Sequence, residues 1–169
     1  IQYVIDRLTQ NGYKAYIVGG CVRDILLGNI PHDFDVTTSA KPQEIINLFE
    51  KTVPTGIKHG TVTVIVENEP IEVTTFRTEG EYTDNRRPDS VEFVTDLKED
   101  LSRRDFTVNA IAYNNKEDLI DYFGGKTDLQ NKVLKAVGNP EKRFLEDALR
   151  ILRLFRFAST LNFKIEENT

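Results

Sequence analysis

Asp33 and Asp35 flank Phe34 in an apolar, β-prone run that continues into Val36. Residues i and i+2 of a strand share a face, so the two carboxylates are expected to point the same way, about 6–7 Å apart along the strand. Like charges at that spacing repel unless a cation lies between them. Oxygen-only donors favour Mg²⁺, which is commonly held by one or two carboxylates plus substrate phosphates. Upstream, Ala15-Tyr16-Ile17-Val18 reads as a buried strand that runs into Gly19-Gly20 and then a short helix, Cys21–Leu27. Two glycines let the backbone approach a ligand closely, and the helix start offers free N–H groups to an anion. Arg23, in the first turn, adds a charged donor. Taken singly, Asp-x-Asp is a solvated strand edge and Gly-Gly an ordinary turn. In this order, with Arg23 between them, they point to chemistry on a nucleoside triphosphate.

The elements that must position these groups follow from periodicity. Ile1, Val4, Ile5 and Leu8 space a packing helix that ends near Asn11-Gly12. After Asp33–Val36, a turn at Thr37–Pro42 leads to a helix with Ile45, Ile46, Leu48 and Phe49 on its apolar face. Gly60 to Phe76 reads as a hairpin turning at Glu67-Asn68-Glu69-Pro70. Glu72 is an acid within its mostly apolar second strand. An outward-facing position explains it in isolation; beside Asp33–Val36 it would complete a cluster of carboxylates. Arg77 to Ser90 is a long polar, non-periodic run, a length of loop that is usually functional. Its Arg86-Arg87 pair suits either phosphate contact or solvent.

Further on, Leu101, Phe106 and Ala110 suit core contacts, while Arg104, Asp105 and Asn109 form a polar set of the kind that also makes a salt-bridged helix face. Short strands are expected at Leu119–Tyr122 and Val133–Ala136, with Gly124-Gly125 and a short helix between. Gly138-Asn139-Pro140 combines turn residues with a helix stop and marks a boundary. From Glu141 to Leu161 the pattern is one continuous helix, with Arg143–Asp147 and Glu146–Arg150 as i,i+4 pairs. Four arginines (Arg143, Arg150, Arg153 and Arg156) face two acids, more positive charge than pairing requires.

Composition bounds the answer. The 169 residues, 39% hydrophobic and 29% charged, suit one globular domain or one domain plus the start of a second. No apolar run approaches the ~20 residues of a membrane span, and no signal-peptide pattern opens the chain. The single cysteine, Cys21, cannot form an internal disulfide, so a reducing cytoplasm is the expected setting. Two histidines without cysteine partners do not make a zinc site. A net charge of −5, with a pI near 5.2, argues against a nonspecific nucleic-acid clamp, whose binding rests on neutralising phosphates. The sequence contains no methionine and stops shortly after a strong helix, which reads as a piece of a longer protein. Nothing in it sets an oligomeric state.

Taken together, the stretches Val18–Asp24, Asp33-Phe34-Asp35, Glu72–Phe76, Arg103–Ala110, Asp121–Gly125 and Glu146–Arg150 resemble class II tRNA nucleotidyltransferases, the CCA-adding enzymes of the polymerase-beta-type nucleotidyltransferase superfamily. They occur in that family's order and cover nearly the whole chain. The resemblance implies an α+β fold: a nucleotidyltransferase head over residues 1–138, with a mixed or antiparallel sheet flanked by helices, followed by the start of an all-α neck over 139–169. It implies template-independent addition of C and A to the tRNA 3′ end from CTP and ATP. Asp33 and Asp35 would bind two Mg²⁺ ions, one lowering the pKa of the RNA 3′-hydroxyl and the other neutralising pyrophosphate, with Glu72 as third carboxylate. Gly19, Gly20 and Arg23 would hold the triphosphate, while Arg104, Asp105 and Asn109 would address ribose and phosphates.

Asp147 and Arg150 would read the base, assisted by Arg153 and Arg156. Cytosine and adenine both present an amino donor beside an unprotonated ring nitrogen, whereas uracil and guanine present a carbonyl beside N–H. An acceptor next to a donor therefore fits the first two and opposes the others. Related poly(A) polymerases share the metal chemistry; Gly56–Val62 lacks the doubly basic stretch expected there in that group. CC-only and A-only relatives remain alternatives, and the intact Arg77–Ser90 run disfavours the CC-only form. The presence of Asp33, Asp35 and Glu72 speaks against a regulator that has lost catalysis. A nucleotide-sugar glycosyltransferase using Asp-x-Asp predicts neither Arg-Arg-Asp nor Glu-Asp-x-x-Arg.

Overall fold

The computed structural model describes residues 1–82, 86 and 88–169. Thr83, Asp84, Asn85 and Arg87 lie outside the described residues, and with them the middle of the Arg77–Ser90 run and half of the Arg86-Arg87 pair.

Seven strands make one mixed sheet: β1 (Ala15–Val18), β2 (Asp35–Thr38), β3 (Thr52–Gly56), β4 (Thr61–Val66), β5 (Glu69–Thr75), β8 (Ala112–Asn114) and β9 (Asp118–Ile120), in the order β3-β4-β5-β2-β1-β8-β9. Between β5 and β8 a separate antiparallel ribbon pairs β6 (Arg77–Glu79) with β7 (Val91–Phe93). Late in the chain β10 (Val133–Leu134) pairs in parallel with β11 (Lys164–Ile165). The helices are α1 (Gln2–Gln10), α2 (Gly20–Leu26), α3 (Pro42–Leu48), α4 (Leu97–Ser102), α5 (Gly125–Asn131), α6 (Pro140–Glu146) and α7 (Leu149–Leu161). This is the expected α+β class, a sheet with flanking helices.

Alternation along the central strands decides what each face does. Val36 on β2, Val62 and Val64 on β4, and Ile71 and Val73 on β5 are buried in one cluster with Val4, Ile5 and Leu8 of α1 and Ile45 of α3. The intervening positions Asp35, Thr37, Thr63 and Glu72 therefore belong to the opposite face. The expected hairpin is present, and its turn is tight. Val66 pairs with Glu69, and Glu67 and Asn68 both take left-handed backbone, with φ of 52° and 69°. That is the two-residue hairpin geometry whose twist matches the strands it joins.

Several expectations shift. Asp33 sits in a bend just before β2, so only Asp35 of the aspartate pair is a strand residue. The edge strand β3 carries Pro54 and Gly56, which read as breakers; an edge tolerates them because one side of its backbone needs no partner. The start of the Arg77–Ser90 run, Arg77–Glu79, is ribbon rather than loop. Arg104 and Asp105 lie in a turn between α4 and a 3₁₀ turn at Thr107–Asn109, not on a helix.

The largest change is in the last helix, which is two helices. Asn139 caps α6 by accepting the Lys142 N–H at 2.9 Å, and Asp147 breaks the run with extended backbone (φ −139°, ψ 103°). The carboxylate of Asp147 then accepts the Leu149 N–H at 3.0 Å, serving the start of α7. Leu154 and Phe157 of α7, with Phe163 beyond it, bury against Cys21, Val22, Phe106 and Val108. Leu145, Leu152 and Phe155 of the predicted apolar surface stay exposed.

Candidate active site

Parallel pairing of β2 with β5 puts Asp35 opposite Glu72 in register, on the face away from α1 and α3. Glu72 therefore joins Asp35, as its possible adjacency to this strand suggested. Asp33, Asp35 and Glu72 accept no hydrogen bond and make no ion pair among the described residues. Nor, among those residues, do three or more acidic, histidine or cysteine side chains converge closely enough to hold one metal ion. Loss of water raises the Asp35 pKa; Arg104 opposes that shift, and the Asp33 charge adds to it. Two acids that repel and lack protein partners, in an oxygen-only set, are a chemistry that suits a hard divalent cation.

The glycine turn faces the same place. Gly19 has φ +81° and ψ −134°, and a β-carbon there would lie 3.1 Å from Arg104 Nη1 and 3.9 Å from Asp35 Oδ2. The backbone conformation demands glycine, and a side chain there would also press on Arg104. Gly20, the first residue of α2, meets only ordinary contact from Arg23, so the requirement falls on its neighbour. The Arg23 N–H is the first in α2 to reach a helical carbonyl, that of Gly19, at 3.1 Å.

Arg23 is buried and strongly tethered. Its Nη1 donates to Asn109 Oδ1 at 2.8 Å, and Asp24 lies 2.8 Å from Nη2. Asn109 Nδ2 donates to Asp105 Oδ1 at 3.1 Å, and the other Asp105 oxygen pairs with Arg153 at 2.7 Å. Arg23, Arg153 and Arg156 all lie 5.0–5.2 Å from the centre of the Phe157 ring. One continuous chain of contacts thus links the glycine turn to α7. The Asp121 carboxylate accepts the N–H groups of Gly125 and Lys126, and a β-carbon on Gly125 would come 2.2 Å from the Thr107 carbonyl oxygen. The Asp121–Gly125 stretch therefore supports the turn that carries Asn109.

Beside this lies a cleft of about 410 Å³ lined by Arg77, Arg86, Arg103, Arg104, Arg150 and Arg153, with His59, Glu79, Tyr82, Pro88, Asp105 and Asp147. It brings together five of the predicted nucleotide-binding residues: Arg104, Asp105, Asp147, Arg150 and Arg153. Arg156 does not line it. Asp147 and Arg150 do not share one helix, because the helix breaks at Asp147, yet they stay neighbours: the Arg150 N–H donates to the Asp147 carbonyl at 3.0 Å and both line the cleft. Arg150 Nη1 donates to Glu146 Oε2 at 2.8 Å and to the Arg143 carbonyl at 3.1 Å, while Nη2 donates to the Arg103 carbonyl at 3.1 Å. The Glu146–Arg150 pair is as expected; Arg143 pairs with Glu146 at 2.9 Å instead of with Asp147.

Sequence reasoning missed the acids that organise these arginines. Asp100, fully buried, accepts from Thr37 Oγ1 at 3.0 Å, from the Arg77 N–H at 3.2 Å and from Arg103 at 2.9 Å, and lies 3.6 Å from Arg104. Burial pushes its pKa up, but Arg103 and Arg104 more than reverse that, so the net shift is downward. Glu79 on β6 meets Arg103 at 3.1 Å, Arg77 at 3.3 Å and Arg150 at 3.8 Å, and accepts from the Tyr82 hydroxyl. Burial lowers the Arg104 pKa, and its Nε is buried without a hydrogen-bond partner. The available signal was the doublet Arg103-Arg104, whose charges need acids from elsewhere in the chain.

The poly A polymerase head domain family matches residues 15–135. The chain belongs to that family. It is 57% identical over 171 residues to the CCA-adding enzyme of Lactococcus lactis subsp. cremoris (strain MG1363), covering 99% of this chain and 42% of the relative. Against the CCA-adding enzyme of Enterococcus faecalis (strain ATCC 700802 / V583) it is 57% identical, covering 98% and 41%. Among solved structures, this poly A polymerase head domain chain superposes on the Bacillus stearothermophilus CCA-adding enzyme in complex with CTP with a TM-score of 0.92 at 47% identity, covering 99% of this chain and 40% of that one. The Thermotoga maritima CCA-adding enzyme complexed with tRNA-CCA gives 0.78 at 31% identity, covering 98% and 38%. The chain thus spans about two fifths of the length of the curated relatives it matches.

Proposed function

We propose that the protein containing this chain adds C and A to the 3′ end of tRNA from CTP and ATP, joining the 3′-hydroxyl to the α-phosphate and releasing pyrophosphate. The observation that carries this reading is the register of Asp35 against Glu72, on one face of the sheet and within reach of Gly19 and Arg104. The names of its relatives support the same activity. Residues 1–138 act as the head, and 139–169 open the helical neck.

Asp33 and Asp35 hold divalent metal, with Glu72 assisting from β5; two Mg²⁺ ions bound there supply charge neutralisation and a more acidic 3′-hydroxyl. Gly19 and Gly20 let the triphosphate approach the backbone, and Arg23 fixes the Asn109 side chain beside it. Arg104, which lines the cleft and brings Nη1 up to the glycine turn, offers a charged donor where the phosphates meet the acid face. Asp105 and Asn109 orient the ribose and hold Arg153. Asp147 accepts and Arg150 donates to the base edge, and Arg153 and Arg156 supply positive charge along α7. The buried free thiol of Cys21 is consistent with a cytoplasmic setting, and no described helix is long and apolar enough to cross a membrane.

The test uses the full-length protein, labelled CTP or ATP, and tRNA lacking its 3′ terminal CCA. Mg²⁺-dependent addition of C, C and A in order, with UTP and GTP rejected, is the expected result. Absence of CTP incorporation, or A-only extension into a long tail, overturns it.

A further inference from the structure

We infer that Glu79 is the positioning residue for base selection: its carboxylate, on the β6–β7 ribbon, sets the guanidinium of Arg150. The inference rests on the proposed base-reading role of Asp147 and Arg150. Arg150 is buried at the junction of three elements, and its two terminal nitrogens are divided between them. Nη1 is held by its own helical segment, through Glu146 and the Arg143 carbonyl. Nη2 faces away from that segment, toward the Arg103 carbonyl at 3.1 Å and Glu79 Oε2 at 3.8 Å. Glu146 and Glu79 therefore pull on opposite ends of the fork. A planar fork reads a base only in one orientation, so the balance of those pulls is what the base meets.

Glu79 is suited to hold that position. It is nearly buried, and its remaining contacts are cations and a hydroxyl: Arg103 and Arg77 on Oε1, and Tyr82 on Oε2. Burial raises its pKa, but Arg103, the Tyr82 hydroxyl, Arg77 and Arg150 outweigh burial and bring it below the ordinary glutamate value. It remains charged at neutral pH and cannot swing out without stripping Arg103 of an acid. Glu79 also ends β6, so the segment between the two ribbon strands starts one residue beyond it. Removing the charge leaves Arg150 drawn toward Glu146, with its outer nitrogen turned off the base edge.

The experiment is nucleotide selection by the full-length protein, read as the ratio of kcat/KM for CTP to that for UTP, and for ATP to GTP, with Tm measured alongside. Glu79→Gln, which keeps the shape and removes the charge, is expected to lower these ratios about tenfold, the size of coupling seen between contacting charged groups. Glu79→Asp keeps the charge and is expected to restore part of the ratio; a merely structural role predicts no such recovery. Should Glu79→Gln fail to fold, Tyr82→Phe removes one hydrogen bond from the same carboxylate and is expected to lower the ratios by about twofold to threefold. Parental selectivity in every variant that folds overturns the inference. A parent protein that adds neither CTP nor ATP overturns the functional reading instead, and the two failures are thereby distinct.

Discussion

The acid face and the arginine cleft lie side by side and treat charge in opposite ways. On the acid face, Asp33, Asp35 and Glu72 have no hydrogen bond or ion pair among the described residues, and Asp35 is pushed toward its neutral form by lost water and by Asp33, against the pull of Arg104. In the cleft, Asp100 and Glu79 are each gripped by two or three arginines and held well ionised. Carboxylates without such contacts have oxygens open to a cation, the role proposed for them above. Paired ones spend theirs on holding arginines still. On the proposed function, the first region changes its electrostatic state when a cation binds, and the second stays as it is.

The strongest test of that contrast is Asp35→Asn. Nucleotide addition by the full-length protein is expected to fall about 10³-fold, the scale of several kcal/mol of transition-state charge stabilisation. Stability without metal is not expected to fall, because Asp35 has no hydrogen bond or ion pair among the described residues and Arg104 keeps its pairing with Asp100. Mg²⁺ is expected to raise the thermal midpoint of the parent protein and to do so less in the variant. A loss of activity under about tenfold would remove the acid face from the reaction. The matching change in the cleft is Asp100→Ala, which takes the nearest acid from Arg104 and leaves Arg103 with Glu79 alone. Breaking a buried pair from one side costs about 3–5 kcal/mol, so denaturant unfolding should show a large loss of stability. A change within about 0.5 kcal/mol would mean that those arginines find water or other acids.

Asp147→Ala sharpens the boundary between the two regions. Losing an acceptor from a base-reading pair is expected to reduce discrimination against UTP by about 1–3 kcal/mol. Parental rejection of UTP would take Asp147 out of base selection. Its cap on Leu149 predicts a separate loss of about 1 kcal/mol in stability.

The mildest perturbation is pH. Asp100 and Glu79 have folded pKa values below those of the unfolded chain, so their contribution is fully present above the unfolded value, near 4, and fades as pH falls through the folded one. Acid unfolding of the parent should therefore steepen below about pH 4. The Glu79→Gln variant should show a shallower slope there, as measured by thermal midpoints across a pH series.

Much of the fold was legible because its signals are local. The α1 spacing and the Gly60–Phe76 hairpin each follow from side chains a few residues apart and each appears in the structure, although the turn expected at Glu67-Asn68-Glu69-Pro70 narrows to Glu67-Asn68. The helix through Glu141–Leu161 was misread because its apolar pattern continues unbroken across Asp147. What interrupts it is a carboxylate that bonds the Leu149 N–H from extended backbone, a competition that helical periodicity does not register. Asp105 does bond Asn109, while Arg104 and Asp105 lie outside any helix rather than on a helical face.

Residue types alone determined that a pair of carboxylates would follow a glycine turn, that positive charge would gather late in the chain, and which family these stretches resemble. Only tertiary structure decided that Glu72 lies beside Asp35, since a parallel pairing between distant strands is set by packing of Val36 and Val73 in a common core. It alone placed Asp100 and Glu79 among the arginines. Buried charges must find partners wherever the fold brings them, and nothing in the spacing of a sequence says which acid will be nearest.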